Sequence, residues 1–152
     1  MAFTGNTICD SYRRELMEAA HDHRTHVFKL ALYTSAATLN AATTDYTTAG
    51  EVSGTGYTAG GYTLTSVVPA LSGSGKVAFA GFADLIIEFA TFVTRGALIY
   101  NTTAWGGTGT TNAVMVLDFG LDRTSSAIGP DYRDFVIRMP TADAINAILR
   151  IQ

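Results

Sequence analysis

The chain has 152 residues, of which 47% are hydrophobic, and its formal net charge is −3. Charged residues make up only 15%, against about 25% in an ordinary domain. The length suits a single domain over residues 1–152, large enough to bury a core without a metal or disulfide staple. A lone cysteine, Cys9, excludes an intramolecular disulfide framework. The acidic balance, with Arg13-Arg14 as the one basic cluster, excludes a phosphate-neutralising nucleic-acid binder. The low charge has two readings: another chain covers part of the surface, or the solvated surface is rich in hydroxyls.

Met1–Asn6 carries neither a basic stretch nor an apolar run, so a signal peptide is not expected there. No apolar run approaches the ~20 residues that a membrane-spanning helix needs. The expectation is a protein made in the cytoplasm. Residues 10–24 predict one helix, capped by Asp10 or Ser11. Tyr12, Leu16, Ala19 and Ala20 fall on one stripe of it, while Arg13, Arg14, Glu15, Glu18 and Asp22 lie largely off that stripe. The stripe docks on the protein's own sheet or on a partner.

From Val27 the period changes to two. Phe28, Leu30 and Leu32 alternate with Lys29, Ala31 and Tyr33, as in a half-buried strand. Residues 36–63 are dominated by Thr, Ala, Gly and Tyr and predict a long extended loop or arm. Thr63–Val68 predicts a strand stopped by Pro69, Ser72–Gly75 a turn, and Lys76–Phe82 a strand. Leu85–Val93 predicts a strand buried on both faces. Gly96 breaks it before Ala97–Tyr100. Trp105–Gly109 predicts a loop, Val114–Phe119 a strand, Gly129-Pro130 a turn and Phe135–Met139 a strand. The end of the chain, 142–151, reads either as a helical turn or as a closing strand. Short strands with glycine-rich turns and no β–α alternation give a mainly β fold: an antiparallel sandwich or barrel with one N-terminal helix.

The motifs that would carry chemistry fail on spacing or context. Gly54–Gly60 resembles a dinucleotide fingerprint, but its spacing is off by one and no helix is expected after it. Gly73–Lys76 lacks the leading glycine and the following Ser or Thr of a phosphate-binding loop. His21, His23 and His26 share no single regular face, and no second ligand cluster completes a metal shell. They read instead as a polar helix end, where a protonated imidazole suits the negative dipole. With all the histidines so close together and no Gly-x-Ser-x-Gly turn, no nucleophilic triad is expected. Asp118 with Asp122, and Asp84 with Glu88, are the available carboxylate pairs, and both read as turn or surface residues. The sequon Asn101-Thr102-Thr103 has no meaning without secretion. No enzyme activity, cofactor or metal is expected.

Aromatic residues in the Gly/Thr-rich loops are the remaining candidates. Tyr46, Tyr57, Tyr62 and Trp105 either contact a partner, stack on sugar rings or fold back onto the core.

Four strings carry a resemblance. Phe28–Thr34 (FKLALYT), Glu51–Gly61 (EVSGTGYTAGG), Thr94–Asn101 (TRGALIYN) and Val116–Gly120 (VLDFG) resemble a family of small virion structural proteins of tailed bacteriophages. The likeness runs from the helix through the last strand, and its most specific parts are the glycine–tyrosine string and the RGALIYN string. The segment 101–112 is longer here than in the family. The resemblance implies a protein similar to capsid decoration, or cement, proteins on the outside of the major capsid shell. Its expected partners are then the major capsid protein or another virion protein and further copies of itself, as a trimer. It implies no catalytic residue. A tail or head–tail connector component is the alternative, and a carbohydrate-binding module using Tyr57, Tyr62 and Trp105 is a third reading of another class.

Overall fold

Runs rich in aliphatic, aromatic and β-branched residues become strands. In the computed structural model residues 3–103, 109–126 and 134–152 are described. The elements are β1 (Thr7–Ile8), α1 (Asp10–Met17), β2 (Phe28–Tyr33), β3 (Tyr62–Thr63), β4 (Ser66–Leu71) and β5 (Ala78–Phe82). They continue with β6 (Leu85–Ile87), β7 (Phe92–Asn101), β8 (Asn112–Ser125), β9 (Phe135–Ile137) and β10 (Leu149–Ile151). A five-stranded sheet has the order β1-β8-β7-β2-β3. A three-stranded sheet runs β10-β5-β4, and β6 pairs with β9. Every pairing of these strands is antiparallel. The fold is mainly β and sandwich-like, with one helix and no closed barrel, in agreement with the expected class.

The core lies against β2, β7 and β8. Phe28, Leu30, Ala31, Leu32 and Tyr33 are all fully buried, so β2 is covered on both faces rather than half-buried. On one side the Phe28 ring meets Phe82 of β5, with centroids 5.6 Å apart. On the other, the Tyr33 hydroxyl donates to Thr47 O in the long loop at 2.6 Å. Ala97–Ile99 and Ala113–Val114 continue the same buried layer through β7 and β8.

The helix is shorter than its expected span of 10–24. It ends at Met17, and Ala19 takes a left-handed φ of 55°. Ala20 N donates to Glu15 O at 2.8 Å and Ala19 N to Leu16 O at 3.2 Å. This pair of bonds satisfies the last carbonyls and turns the chain back, a Schellman closure with alanine where glycine is usual. The stripe of apolar residues hid the stop, because Ala19 and Ala20 are good helix formers. The cap residue is Cys9, not Asp10 or Ser11, and its side chain makes no cap hydrogen bond. The start is set from outside: Cys9 N donates to Val114 O at 3.0 Å and Asp10 N to Ala41 O at 2.8 Å.

Three strand expectations are also corrected. Pro69 lies inside β4, where the register shifts between Val67 and Ala70; a residue without N–H is tolerated there because β4 is an edge strand. Leu85–Val93 is not one strand, since β6 stops at Ile87 and Phe89 turns with φ 52°. Gly96 does not break β7. It sits at a register shift opposite Asp118, and any side chain there would overlap Leu117 O and the Phe3 ring. At the C-terminus both expectations are met in sequence. Asp143 accepts from Ile145 N and Asn146 N in a turn, and β10 follows. The expected Gly129-Pro130 turn lies outside the described residues.

Candidate functional site

The glycine- and threonine-rich segment 36–63 is a long loop laid along the edge of β2. β3 pairs only with Lys29 and Leu30, so β2 would otherwise show open amides beyond it. The loop closes that edge. Val52 N donates to Leu32 O at 2.9 Å, Leu32 N donates to the Tyr57 hydroxyl at 2.9 Å, and Tyr33 bridges to Glu51. Covering an edge this way removes a template for unwanted strand pairing. Gly61 is forced by the approach: its φ is 72°, and a Cβ would overlap the carbonyl oxygen of Leu30.

Glu51 organises the loop. Its carboxylate accepts from the Tyr46 hydroxyl at 2.6 Å, the Tyr57 hydroxyl at 2.7 Å and Gly60 N at 2.7 Å. Tyr100 of β7 stacks on Tyr46 with centroids 4.8 Å apart and donates to Gly60 O at 2.6 Å. Tyr62 donates to Gly56 O and meets Tyr57 edge-on at 5.8 Å. Burial first, and then the hydrogen bond to the Glu51 carboxylate, push both the Tyr46 and Tyr57 hydroxyls up, so they remain protonated donors. Tyr46, Tyr57 and Tyr62 are therefore half-buried staples of the loop rather than residues displayed to a ligand. Trp105, the fourth candidate, lies outside the described residues. Glu51 itself escaped the sequence reading. The available signal was that it is the one acidic residue between Asp45 and Asp84.

The three histidines line the connector that follows the Schellman turn. They are not a solvated helix end, since His21, His23 and His26 are all buried. His21 Nε2 lies 2.7 Å from Glu15 Oε2, itself buried. His23 Nε2 lies 2.6 Å from the Tyr12 hydroxyl, and its ring stacks on Phe28 at 4.5 Å with an interplanar angle of 7°. Asn101 Nδ2 is 3.0 Å from both His21 Nδ1 and His26 Nδ1. Burial lowers the pKa of His21 against the opposing pull of Glu15, and it lowers that of His23 to about 4. Among the described residues no group of three or more His, Cys, Asp and Glu side chains is arranged to hold a metal ion. Cys9, at the start of α1, is fully buried, and burial pushes its thiol up to about 12, so it stays a thiol.

The carboxylate pairs are separated into structural roles. Asp118 pairs with Arg95 at 2.9 Å and accepts from Gly5 N and Gly120 N. Asp84 pairs with Arg138 at 2.9 Å and accepts from Met139 N at 2.8 Å, which ends β9. The Gly54–Gly60 string runs into β3 rather than a helix, with Thr55 bridged to Thr91. Ser72–Gly75 forms the turn of the β4–β5 hairpin, where Ser72 N donates to Val77 O.

What the molecule does display is apolar surface on its smaller sheets. Leu71 of β4 and Ile151 of β10 both face Ala78 of β5, giving a row across the three-stranded sheet. Leu71 is 66% exposed and Ile151 63%. Beside this sheet a cleft of about 400 Å³ is walled by Ile8, Tyr12 and Leu16 on one side and Pro69, Phe79 and Leu149 on the other. Ile86 of β6 and Val136 of β9 are cross-strand partners, 55% and 40% exposed. Among the described residues no helix is long and apolar enough to cross a membrane.

No family model, no curated protein and no solved structure matches this chain.

Proposed function

We propose that this protein is a structural component of a tailed-phage virion, with the outside of the major capsid shell as its seat and decoration, or cementing, as its role. The observation that carries the reading is the exposed apolar surface on a well-closed β framework. Leu71 and Ile151, on either side of Ala78, and the Ile86–Val136 pair are large apolar side chains left to water in the isolated chain. Grouped apolar side chains of this kind mark surfaces that another protein covers. The low proportion of charged residues fits the same conclusion. So does the resemblance of the FKLALYT, EVSGTGYTAGG, TRGALIYN and VLDFG strings to phage virion proteins.

In this role the protein needs rigidity and complementarity, not an acid, a base or a nucleophile. Many copies, each held by modest contacts with the shell and with one another, bind tightly through multivalency. The expected partners are the major capsid protein and further copies of this chain, arranged as trimers. The sugar-stacking alternative loses two of its three residues, since Tyr57 and Tyr62 are occupied in holding the loop. The test is to label the protein in purified virions and image them. Signal over the capsid supports the proposal. Signal confined to the tail overturns the decoration role, and absence from particles overturns the virion role.

A further inference from the structure

We propose that the His21, His23 and His26 cluster is an acid-sensitive latch: at neutral pH it fastens the 18–27 connector over the sheet, and on acidification it lets that connector go.

Hydrogen-bond geometry carries the inference. Thr103 N donates to Asn101 Oδ1 at 2.9 Å, and this fixes which end of the buried amide faces which way. The Asn101 NH₂ group therefore points at the histidines, 3.0 Å from His21 Nδ1 and 3.0 Å from His26 Nδ1. An NH₂ group has two hydrogens and no lone pair to offer, so both ring nitrogens must present lone pairs. A second donor, Asp22 N, approaches His26 Nδ1 at 3.3 Å. His21 is then the Nε2–H tautomer, donating to Glu15 at 2.7 Å. A proton added at His21 Nδ1 would set N–H against N–H inside a buried site.

His23 opposes a proton for a different reason. It is stacked flat on Phe28 and meets Tyr12 and Phe82 with their rings, and its Nδ1 is buried with no hydrogen-bond partner. A charged imidazolium here would have one N–H facing apolar surroundings, which is costly.

The charged and titratable neighbours do not reverse this. From α1, Glu15 faces His21, and Arg14 lies 3.7 Å from the other Glu15 oxygen. Tyr12 of α1 faces His23. From the connector, Asp22 lies beside His26 but is already engaged by Arg24 N and the Thr25 hydroxyl. Arg13 and Arg150 share the cleft that His23 lines and add positive charge. Toward His21 and His23, β2 and β5 present Phe28 and Phe82, and β7 presents Asn101.

Release has a definite product. The connector covers Phe28, which is wholly buried, and forms one wall of a cleft lined by Ala19, His21, Asp22, His23, Arg24 and Pro69. Opening it exposes that aromatic surface while β7 and β8 stay paired.

The experiment combines ¹⁵N-histidine NMR with amide hydrogen exchange on the full chain, corrected for intrinsic exchange rates. At neutral pH the His21 shifts should report the Nε2–H tautomer. Between neutral pH and about pH 4.5, protection of amides 19–27 should fall about tenfold or more, while amides 97–100 and 113–117 keep theirs. His23→Phe keeps a ring over Phe28 and should lose much of the acid response. Three results would each overturn the proposal. They are histidines that protonate with the connector still protected, protection lost evenly over the whole chain, and a His23→Phe variant that folds yet keeps the full response. If the variant does not fold, the wild-type tautomer and exchange data decide alone.

Discussion

Replacing Glu51 by alanine removes one acceptor from three donors at once: the Tyr46 and Tyr57 hydroxyls and Gly60 N, at 2.6, 2.7 and 2.7 Å. A hydrogen bond to an ionised group contributes about 1.5–3 kcal/mol, and more is lost where the abandoned donor stays buried. The tyrosines are half-buried, so water can reach part of the gap and the low end applies. The expected loss over the three bonds is about 4.5 kcal/mol. Tyr57→Phe leaves Leu32 N without its acceptor and costs about 1–3 kcal/mol. The double variant should be less destabilised than the sum, by about 1–2 kcal/mol, because both changes break the same bond. Urea unfolding measures all three, with an unchanged denaturant slope as the condition for comparing midpoints. A Glu51→Ala variant within about 0.5 kcal/mol of wild type, the ordinary range for a surface change, would refute the clamp. The 36–63 segment would then be a free arm.

Three further outcomes follow from the same structure. Ala19→Gly should stabilise the protein by about 0.5 kcal/mol, because relief of the left-handed penalty of about 1–2 kcal/mol exceeds the entropy that glycine adds to the unfolded chain. If the helix ran through residue 19, the same change would cost about 0.5–1 kcal/mol, so the sign from thermal unfolding decides. His23, with its folded pKa lowered from 6.5 to about 4, makes stability fall with acid. Above pH 6.5 neither state binds the proton; below it the unfolded state does and the folded state does not. The loss grows until about pH 4 and reaches about 3 kcal/mol, and a chemical-denaturation series from pH 7.5 to 4 that stays flat would contradict it. Ile86→Lys should leave stability within about 0.5 kcal/mol of wild type yet weaken attachment to particles in a co-sedimentation assay. Undiminished attachment would remove that strand pair from the contact surface.

Strand content was legible because period-two patterns and glycine-rich turns are local properties. Phe28–Tyr33 and Val114–Phe119 announce themselves in this way. The misreadings arose where a contact distant in sequence overrode a local preference. Ala19 reads as helix but closes it, since the turn brings His21 back to Glu15. Gly96 reads as a break but makes room for Phe3 and Leu117. Pro69 reads as a stop but sits on an edge strand that can spare its amide. The candidate residues followed the same rule. Tyr46, Tyr57 and Tyr62 were picked out for being aromatic in a polar loop, and only the fold shows that Glu51 and the edge of β2 draw in the hydroxyls of Tyr46 and Tyr57, while that of Tyr62 turns to Gly56 O. Asn101 gave no sequence signal as the partner of His21 and His26, because it lies 80 and 75 residues away from them. The exposure of Leu71 and Ile151 on either side of Ala78 was equally invisible, since three strands bring them together.

The central claim is that these surfaces are covered in a virion. Quantitative mass spectrometry of purified particles tests it most directly, by counting copies of this chain against the major capsid protein. The account predicts a simple ratio to the capsid protein, with copies distributed over the shell. A handful of copies per particle would place the chain at the tail or connector and contradict the decoration role, and its absence from particles would contradict the account altogether.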